Sequence, residues 1–188
     1  QNDSLRISVK RIDAADGRPA GLVSNHLHNA VKEGDVIDVS APGGVFFLNE
    51  AAAPVVLVSA GIGITPILAM LQSIAQTTPE RPVKFLHAAR TADDFALKDE
   101  VREAFGKLRN AQCTVHLTRQ MPQGQTCPCF KPGRPDAATV AALGSTPDSD
   151  VYICGPTDFM SDMREAFLAA GIPAANIHME AFGTGNQS

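Results

Sequence analysis

From about residue 53 onward, short β-branched segments alternate with segments of helical periodicity. Candidate strands lie at residues 55–59, 83–89, 113–118 and 151–154, with a shorter one near 177–179. Helical patterns lie between and after them, at about residues 66–76, 94–108, 135–143 and 157–170. This alternation is typical of an α/β fold, in which a parallel sheet is flanked by helices on both faces.

The first 52 residues follow a different, β-rich pattern. Strands are expected at residues 5–11 and 36–40, a short helix at 23–31, and a turn at residues 16–19. So few strands cannot close a small barrel, which takes about six to eight. We therefore divide the chain into residues 1–52 and 53–188. The first part is expected to be an incomplete piece of a barrel, either cut from a longer polypeptide or completed by a neighbour's strands.

Composition excludes several classes of function. The 188 residues carry 16 Lys and Arg against 20 Asp and Glu, without a basic cluster, so nucleic-acid binding is not expected. No apolar run approaches the ~18–20 residues that span a bilayer, and no export signal is visible, so no membrane association is expected. The four cysteines lack the regular spacing of a disulfide framework, which favours a reducing, cytoplasmic compartment.

The strongest local signal is the sequence SAGIGITP at residues 59–66, directly between a predicted strand and a predicted helix. Gly61 and Gly63 would let backbone N–H groups approach a pyrophosphate, to which the helix N-terminus adds partial positive charge. Thr65 is a candidate cap whose hydroxyl can meet a phosphate or carboxamide, and Pro66 suits the first helical position. A tight turn without a ligand is the alternative. Because strand, turn and helix agree, we favour a nucleotide site.

This turn differs from the common dinucleotide fingerprint. Pro66 stands where the third glycine position would begin, and the second strand is followed by Arg90, not by an acidic residue. A Gly-x-Gly-x-x-Pro turn followed much later by Cys154-Gly155-Pro156 resembles the ferredoxin reductase family, which passes hydride from NAD(P)H to a flavin. The chain is most similar to the reductase modules of flavohaemoglobins, which carry a final His-x-Glu-x-Phe-Gly that matches residues 178–183 here. It also resembles the similar modules of ferredoxin-fused oxidoreductases.

The resemblance implies the nicotinamide-binding lobe of this fold, preceded by part of a flavin-binding barrel. It implies NADH or NADPH and FAD as cofactors, and a haem-globin or plant-type ferredoxin domain as electron acceptor. The family's Arg-x-Tyr-Ser/Thr segment, which holds the flavin, is not found in this sequence. We therefore expect this chain to hold FAD weakly or not at all.

Three catalytic residues follow from the resemblance. The sulfur of Cys154 would lie beside the nicotinamide C4 and position the ring without acting as a nucleophile. Phe182 would cover the flavin face that the nicotinamide must occupy, with Glu180 beside it at the end of the last strand. The alternatives are a small buried apolar cysteine and a loose polar tail.

The resemblance also implies the cofactor-binding residues. The sequence Gly21-Leu22-Val23-Ser24 matches the Gly-x-x-Ser start of the helix that binds the flavin pyrophosphate. Thr118 and Arg119 match a hydroxyl-Arg pair that grips the 2′-phosphate of NADPH, with Arg90 as a second candidate. We expect both coenzymes to be accepted. The cofactor-binding set is Gly21, Val23, Ser24, Gly61, Gly63, Thr65, Pro66, Arg90, Thr118, Arg119, Gly155 and Pro156.

Other polar residues are assigned no chemistry. His87 and His116 lie within strand patterns and have no second ligand at metal spacing. Cys127 and Cys129 lie in a loop, and we interpret them as free thiols because a disulfide between residues two apart is strained. The acidic residues at 93–103 are interpreted as one face of a solvated helix that pairs with neighbouring basic residues. No metal site is predicted.

Two other functions remain open. A regulatory module could bind NAD(P)H without turnover, and would then bind the coenzyme with no flavin even in the full-length protein. A dehydrogenase could act on a small organic substrate, but no Tyr/Lys or His/Asp proton relay is evident in the sequence. The single tyrosine, Tyr152, lies within a predicted strand.

Overall fold

A computed structural model of the chain describes residues 4–15, 17–41, 43–122 and 127–181. The strands are β1 (Val55–Ala60), β2 (Val83–Ala89), β3 (Ala111–Leu117), β4 (Phe130–Pro132), β5 (Asp150–Cys154) and β6 (Ile177–Glu180). The α-helices are α1 (Leu22–Asn29), α2 (Ile64–Thr77), α3 (Lys98–Phe105), α4 (Ala137–Leu143) and α5 (Thr157–Ala169). Single 3₁₀ turns occur at Gly61–Gly63 and Ala174–Asn176. In the described ranges, no helix has the length and apolar character needed to cross a bilayer.

The six strands form one parallel sheet in the order β4-β3-β2-β1-β5-β6. The strand order reverses at β1, since β2 pairs with one side of it and β5 with the other. In open parallel sheets such a reversal opens a crevice at the carboxyl ends of the strands, where ligands bind. The predicted α/β architecture is confirmed, and the carboxyl edge of the sheet is the expected place for a ligand.

Both faces of the sheet are buried, which explains why β1, β2 and β5 contain long apolar runs. Helices α2 and α3 contribute to the core cluster on one face, and α4 and α5 to the cluster on the other. Large side chains that are fully buried include Leu57, Ile67, Phe85, Tyr152 and Phe167. Each such side chain contributes about 1.5–3 kcal/mol relative to an exposed one.

Two local predictions for residues 53–188 are corrected. The loop predicted around Cys127 and Cys129 runs into β4, an edge strand of three residues that is too short to show a pattern in the sequence. Helix α3 begins at Lys98 and not near residue 94, because Leu97 adopts a left-handed φ of 58° and Phe95 is buried against the His87 ring, 4.6 Å away. Tertiary packing here overrides helical periodicity. The predicted ion pairs are present, namely Arg102 with Asp99 and Lys107 with Glu103.

Residues 1–45 form a separate compact unit from residues 46–188. Within the described part of this first unit, α1 is the only regular element besides an isolated bridge between Ala15 and Arg18. The strands predicted at residues 5–11 and 36–40 are wrong for this structure. Their backbones pair with no strand in the described part of the chain, and Leu5, Val36 and Val39 are exposed. A strand needs a ladder partner and an apolar face to cover.

A buried polar network lies at the amino end of the sheet. Arg81 lies 3.7 Å from Asp150, and its guanidinium donates to the carbonyls of Asn49 and Ala53 at 2.9 and 2.7 Å. The Tyr152 hydroxyl accepts from the Asn49 amide at 2.7 Å. These bonds fasten residues 49–53, just before β1, to the sheet.

Candidate functional site

The glycine turn at the carboxyl end of β1 forms a single 3₁₀ turn that leads directly into α2. Gly61 has a φ of 54°, which L side chains rarely adopt, and a Cβ added there would meet no atom within 4 Å. The space above Gly61 is therefore open at the N-terminus of a helix. The first turn of α2 contains no acidic residue, so its partial positive charge is not opposed there.

Gly63 is constrained by packing. A Cβ added there would collide with the Cys154 carbonyl and lie 2.8 Å from the Gly155 amide nitrogen. Gly155 is similarly crowded, since its added Cβ would lie 3.2 Å from Ala60 and 3.0 Å from Phe159. The two motifs, separated by about ninety residues in sequence, are thus in direct backbone contact. Pro156 is the exposed N-cap of α5, as its predicted place before a helix requires.

The prediction for Thr65 and Pro66 is corrected in detail. Helix α2 begins at Ile64 with Gly63 as its N-cap, so Thr65 is the second helical residue and Pro66 the third. The Thr65 hydroxyl donates to the Ile62 carbonyl at 3.1 Å and caps no helix end. The 3₁₀ turn starts the helix earlier than periodicity indicates. Pro66 remains compatible because the first four helical N–H groups have no partner within the helix.

Cys154 ends β5 and is fully buried as a free thiol. Burial raises its pKa to about 12, and the nearby Glu180 carboxylate acts in the same direction. Glu180 is its register partner on β6. The thiol is therefore protonated near neutral pH, which suits a positioning contact better than nucleophilic attack.

A polar row crosses this face of the sheet, and sequence reasoning missed part of it. Register pairs connect His87 on β2, Ser59 on β1, Cys154 on β5 and Glu180 on β6. The Ser59 hydroxyl and His87 Nδ1 are 2.8 Å apart, and both residues are fully buried. Burial lowers the pKa of His87 to about 3, so the imidazole is neutral. The available signal was a polar residue near the carboxyl end of each of two apolar strands.

The candidates for recognising the coenzyme phosphate lie together at the carboxyl ends of β2 and β3. The Arg119 amide donates to the Arg90 carbonyl at 2.9 Å, and the Thr118 amide to the Ala89 carbonyl at 2.9 Å. Arg90 lies 3.6 Å from Asp94, with both side chains substantially exposed. Arg119 and Thr118 are exposed as well. The structure thus brings Arg90, Thr118 and Arg119 side by side.

The predicted flavin residues belong to the first unit. The Ser24 hydroxyl accepts from the Ile12 amide and donates to the Gly21 carbonyl, each at 3.2 Å. A Cβ on Gly21 would lie 2.7 Å from that hydroxyl oxygen and 3.0 Å from the Ile12 Cβ, so a side chain there would displace Ser24 or Ile12. Val23 is 69% exposed on α1. Ser24 thus organises the start of α1, whose first turn contains no acidic residue.

Phe182 lies outside the described residues. The interpretation of Cys127 and Cys129 as free thiols is wrong, because a turn brings their Cα atoms to 5.1 Å and their sulfurs form a disulfide. His116 Nδ1 lies 3.2 Å from the Gly133 carbonyl oxygen, and burial lowers its pKa. Where the structure describes the chain, no cluster of three His, Cys, Asp or Glu could hold a metal ion.

Comparison with known proteins agrees with this geometry. Residues 57–165 match the family model described as the oxidoreductase NAD-binding domain. A flavohemoprotein of Chromobacterium violaceum is 44% identical over 184 residues, covering 96% of this chain and 45% of that protein. The flavohem-like FAD/NAD-binding domain of nitric oxide dioxygenase from Vibrio cholerae superposes with a TM-score of 0.79 at 34% identity, covering 93% of this chain and 70% of that one. Flavohemoglobin from Malassezia yamatoensis, solved with FAD and heme, gives a TM-score of 0.63 at 32% identity, covering 72% and 33%.

A parallel sheet with a glycine turn between its first strand and the following helix, at the switch point of the strand order, is typical of nucleotide-binding α/β domains. The chain belongs to the oxidoreductase NAD-binding domain family, and its predicted membership of the ferredoxin reductase family is confirmed. It spans about half the length of the curated relatives that it matches.

Proposed function

We propose that this chain is a reductase module that transfers hydride from NAD(P)H to FAD and passes electrons to a haem domain. The observation that carries this proposal is the contact of the Gly61–Gly63 turn with the Cys154-Gly155 peptide at the switch point of the sheet. The names of the relatives favour a haem-globin acceptor over a plant-type ferredoxin. Residues 1–52 would be the trailing part of the flavin lobe and residues 53–188 the nucleotide lobe.

The edge of the sheet fits a dinucleotide. The open space above Gly61 would let a pyrophosphate approach the N–H groups that begin α2, where Thr65 and Pro66 complete the first turn. Arg119 and Thr118 would bind the phosphate of NADPH, with Arg90 beside them. The Asp94 carboxylate close to Arg90 makes Arg119 the stronger of the two anion ligands.

Cys154 would position the nicotinamide ring at the reacting centre. Its neutral buried thiol would lie against the nicotinamide ring, and the Gly155-Pro156 backbone would bound the site on one side. Glu180, in register with Cys154, would lie on the other side of the nicotinamide site. Phe182 would cover the flavin face that the nicotinamide must occupy. FAD, when bound, would supply the redox chemistry, since a flavin can accept a hydride and pass on single electrons. The protein residues contribute alignment and exclusion of water.

The first unit offers a partial fit to the flavin. Helix α1 presents an N-terminus without acidic residues, and Gly21 and Val23 lie at its start. The Ser24 hydroxyl is already engaged with Ile12 and Gly21. A flavin phosphate would therefore be held mainly by backbone N–H groups. This arrangement supports weak retention of FAD by the chain.

Substitution of Cys154 by alanine tests the function. In the full-length protein with FAD bound, Cys154→Ala should slow flavin reduction by NADH at least about tenfold while changing the Kd for NADH less than about threefold, because a positioning contact acts mostly in the transition state. Stopped-flow absorbance measures the reduction and calorimetric titration the Kd. Cys113→Ala, which removes a half-buried free thiol away from the edge, is the matched control. An unchanged reduction rate would contradict the role of Cys154. Coenzyme binding without flavin in the full-length protein would favour the regulatory module.

A further inference from the structure

The segment Cys127-Pro128-Cys129 lies in the loop before β4 and takes no part in the proposed coenzyme chemistry. Its two cysteines form a disulfide, whereas Cys113 and Cys154 are free. We propose that Cys127 and Cys129 form a thiol–disulfide exchange site for low-molecular-weight thiols, in which Cys127 forms the mixed disulfide and Cys129 resolves it.

The two cysteines differ in access. Cys127 is exposed, whereas Cys129 is half-buried and packs against the core cluster on the α2 and α3 face. Exchange requires a thiolate to reach a sulfur along the axis of the S–S bond, and an exposed sulfur permits this approach. An incoming thiol therefore attacks Cys127. The sheltered Cys129 is left to close the ring again.

The backbone favours the same division of roles. The Cys129 amide donates a hydrogen bond to Cys127 Sγ at 3.3 Å. A donor aimed at a sulfur stabilises its thiolate over its thiol. In the reduced pair, Cys127 is thus both the exposed and the better stabilised thiolate, which suits it to attack an external disulfide. Half-buried Cys113 is the opposite case, because desolvation raises its pKa to about 11.

The reaction is balanced by two equivalents of thiol. A thiolate RS⁻ attacks Cys127 Sγ, the Cys127–Cys129 bond breaks, and Cys129 leaves as a thiolate that takes a proton from water. A second RS⁻ attacks the R sulfur of the mixed disulfide and releases Cys127. The sum is one protein disulfide plus two RSH giving one protein dithiol plus RSSR. The reverse sequence, driven by RSSR, closes the ring.

The exchange site is hydrogen-bonded to β3 and β4, the two strands at one lateral end of the sheet. The Cys129 carbonyl accepts from the Val115 amide at 2.8 Å, and the Cys127 carbonyl accepts from the Phe130 amide at 3.0 Å. Phe130 begins β4, whose three residues pair with β3. Opening the ring removes a constraint on this short edge pair. We expect the Val115 amide to exchange its hydrogen about tenfold faster or more in the reduced protein.

The test uses the full chain and glutathione, with adducts located by mass spectrometry after alkylation. Incubated with oxidised glutathione, Cys129→Ser should accumulate one stable glutathione on Cys127. In Cys127→Ser, glutathione should add to Cys129 at least about tenfold more slowly than it adds to Cys127 in Cys129→Ser. Cys113→Ser, the matched control, should close and open the Cys127–Cys129 ring as the unmodified chain does.

Two further readings decide the proposal. Titration of the unmodified chain with reduced and oxidised glutathione should convert both cysteines together between alkylatable and protected forms, and Val115 exchange should follow the same transition. Equal adduct rates on Cys127 and Cys129 would overturn the assigned roles. Alkylation of both cysteines after oxidised glutathione, or adducts mainly on Cys113 or Cys154, would overturn the site itself.

Discussion

At the scale of single residues, the imidazole of His87 is held inside the sheet without solvent. It stacks on Phe95 with ring centroids 4.6 Å apart, and Nδ1 meets the Ser59 hydroxyl at 2.8 Å. Its Nε2 has no hydrogen-bond partner in the described part of the chain. A charged imidazolium there would be desolvated with one N–H unpaired, which is why the neutral form is strongly favoured.

His87 predicts a pH dependence of stability. The folded pKa of about 3 lies below the ordinary 6.5, so the unfolded chain binds the proton more readily. The contribution of His87 to the free energy of unfolding is therefore constant above about pH 6.5. It falls as the pH drops toward 3, by up to about 1.4 kcal/mol per pH unit. Urea unfolding at several pH values measures it. His87→Gln should remove this slope and His26→Gln, at an exposed position, should keep it. A slope unchanged in His87→Gln would refute the assignment.

Arg119 predicts coenzyme selectivity. It is exposed at the end of β3 and lies beside Arg90 through a backbone hydrogen bond. Arg119→Ala should weaken NADPH by about 1.5–3 kcal/mol, the scale of a charge-assisted hydrogen bond, and leave NADH nearly unchanged. Calorimetric titration with both coenzymes checks this, with Arg102→Ala on α3 as the control. Equal losses for both coenzymes would mean that Arg119 contacts their shared part or is structural.

At the scale of elements, the junction of β1 with α2 is packed on the junction of β5 with α5. Gly63 leaves no room for a side chain, because its neighbours are the backbone atoms of Cys154 and Gly155, and Gly155 is tightly packed against Ala60 and Phe159. A side chain at position 63 would therefore collide with the Cys154-Gly155 peptide within the protein. Gly61, by contrast, faces open space and is fixed by its positive φ.

This difference predicts unequal costs for two alanine substitutions. Gly63→Ala should lower the free energy of unfolding by about 3 kcal/mol, since the Cys154-Gly155 peptide cannot yield without moving β5. Gly61→Ala should lower it by about 1 kcal/mol through backbone strain alone. Denaturant unfolding of the two variants measures both. A larger loss for Gly61→Ala would contradict the packing described for this junction.

At the scale of the molecule, the segment before β1 is fastened to the sheet by Arg81 and Tyr152. The Arg81 and Asp150 side chains are 4% and 9% exposed, and His178 lies 3.5 Å from the other carboxylate oxygen of Asp150. Tyr152 also contacts Phe46 edge-on, with centroids 5.7 Å apart. These long-range contacts connect β1, β2, β5 and β6 at their amino ends.

The buried pair predicts a large global effect. Arg81→Met should lower the free energy of unfolding by about 3–5 kcal/mol, because it leaves the Asp150 charge buried and releases the carbonyls of residues 49 and 53. Arg109→Met, which breaks the exposed pair with Glu80, should cost less than about 1 kcal/mol. Thermal and urea unfolding provide the comparison. Similar losses in the two variants would show that burial of the Arg81 pair contributes nothing.

The sequence by itself determined the parts that depend on local pattern. Apolar β-branched runs predicted β1, β2 and β5 within a residue at each end, and the glycine turn predicted the start of α2 within two residues. The resemblance to the ferredoxin reductase family was also visible in the sequence, since the Gly-x-Gly-x-x-Pro turn and the Cys-Gly-Pro turn are each a contiguous run of residues. Each of these signals lies within about ten residues, so neighbouring residues suffice to specify it.

Only the tertiary structure decided the features that depend on strand register. The Ser59–His87 bond, the need for glycine at 63, the Arg81 network and the three residues of β4 all join segments distant in the chain. A shift of one residue in any strand pair would exchange inward and outward side chains and abolish these contacts. Periodicity gives which face a side chain occupies but not its partner across the sheet, because that pairing is fixed by the packing of the whole molecule.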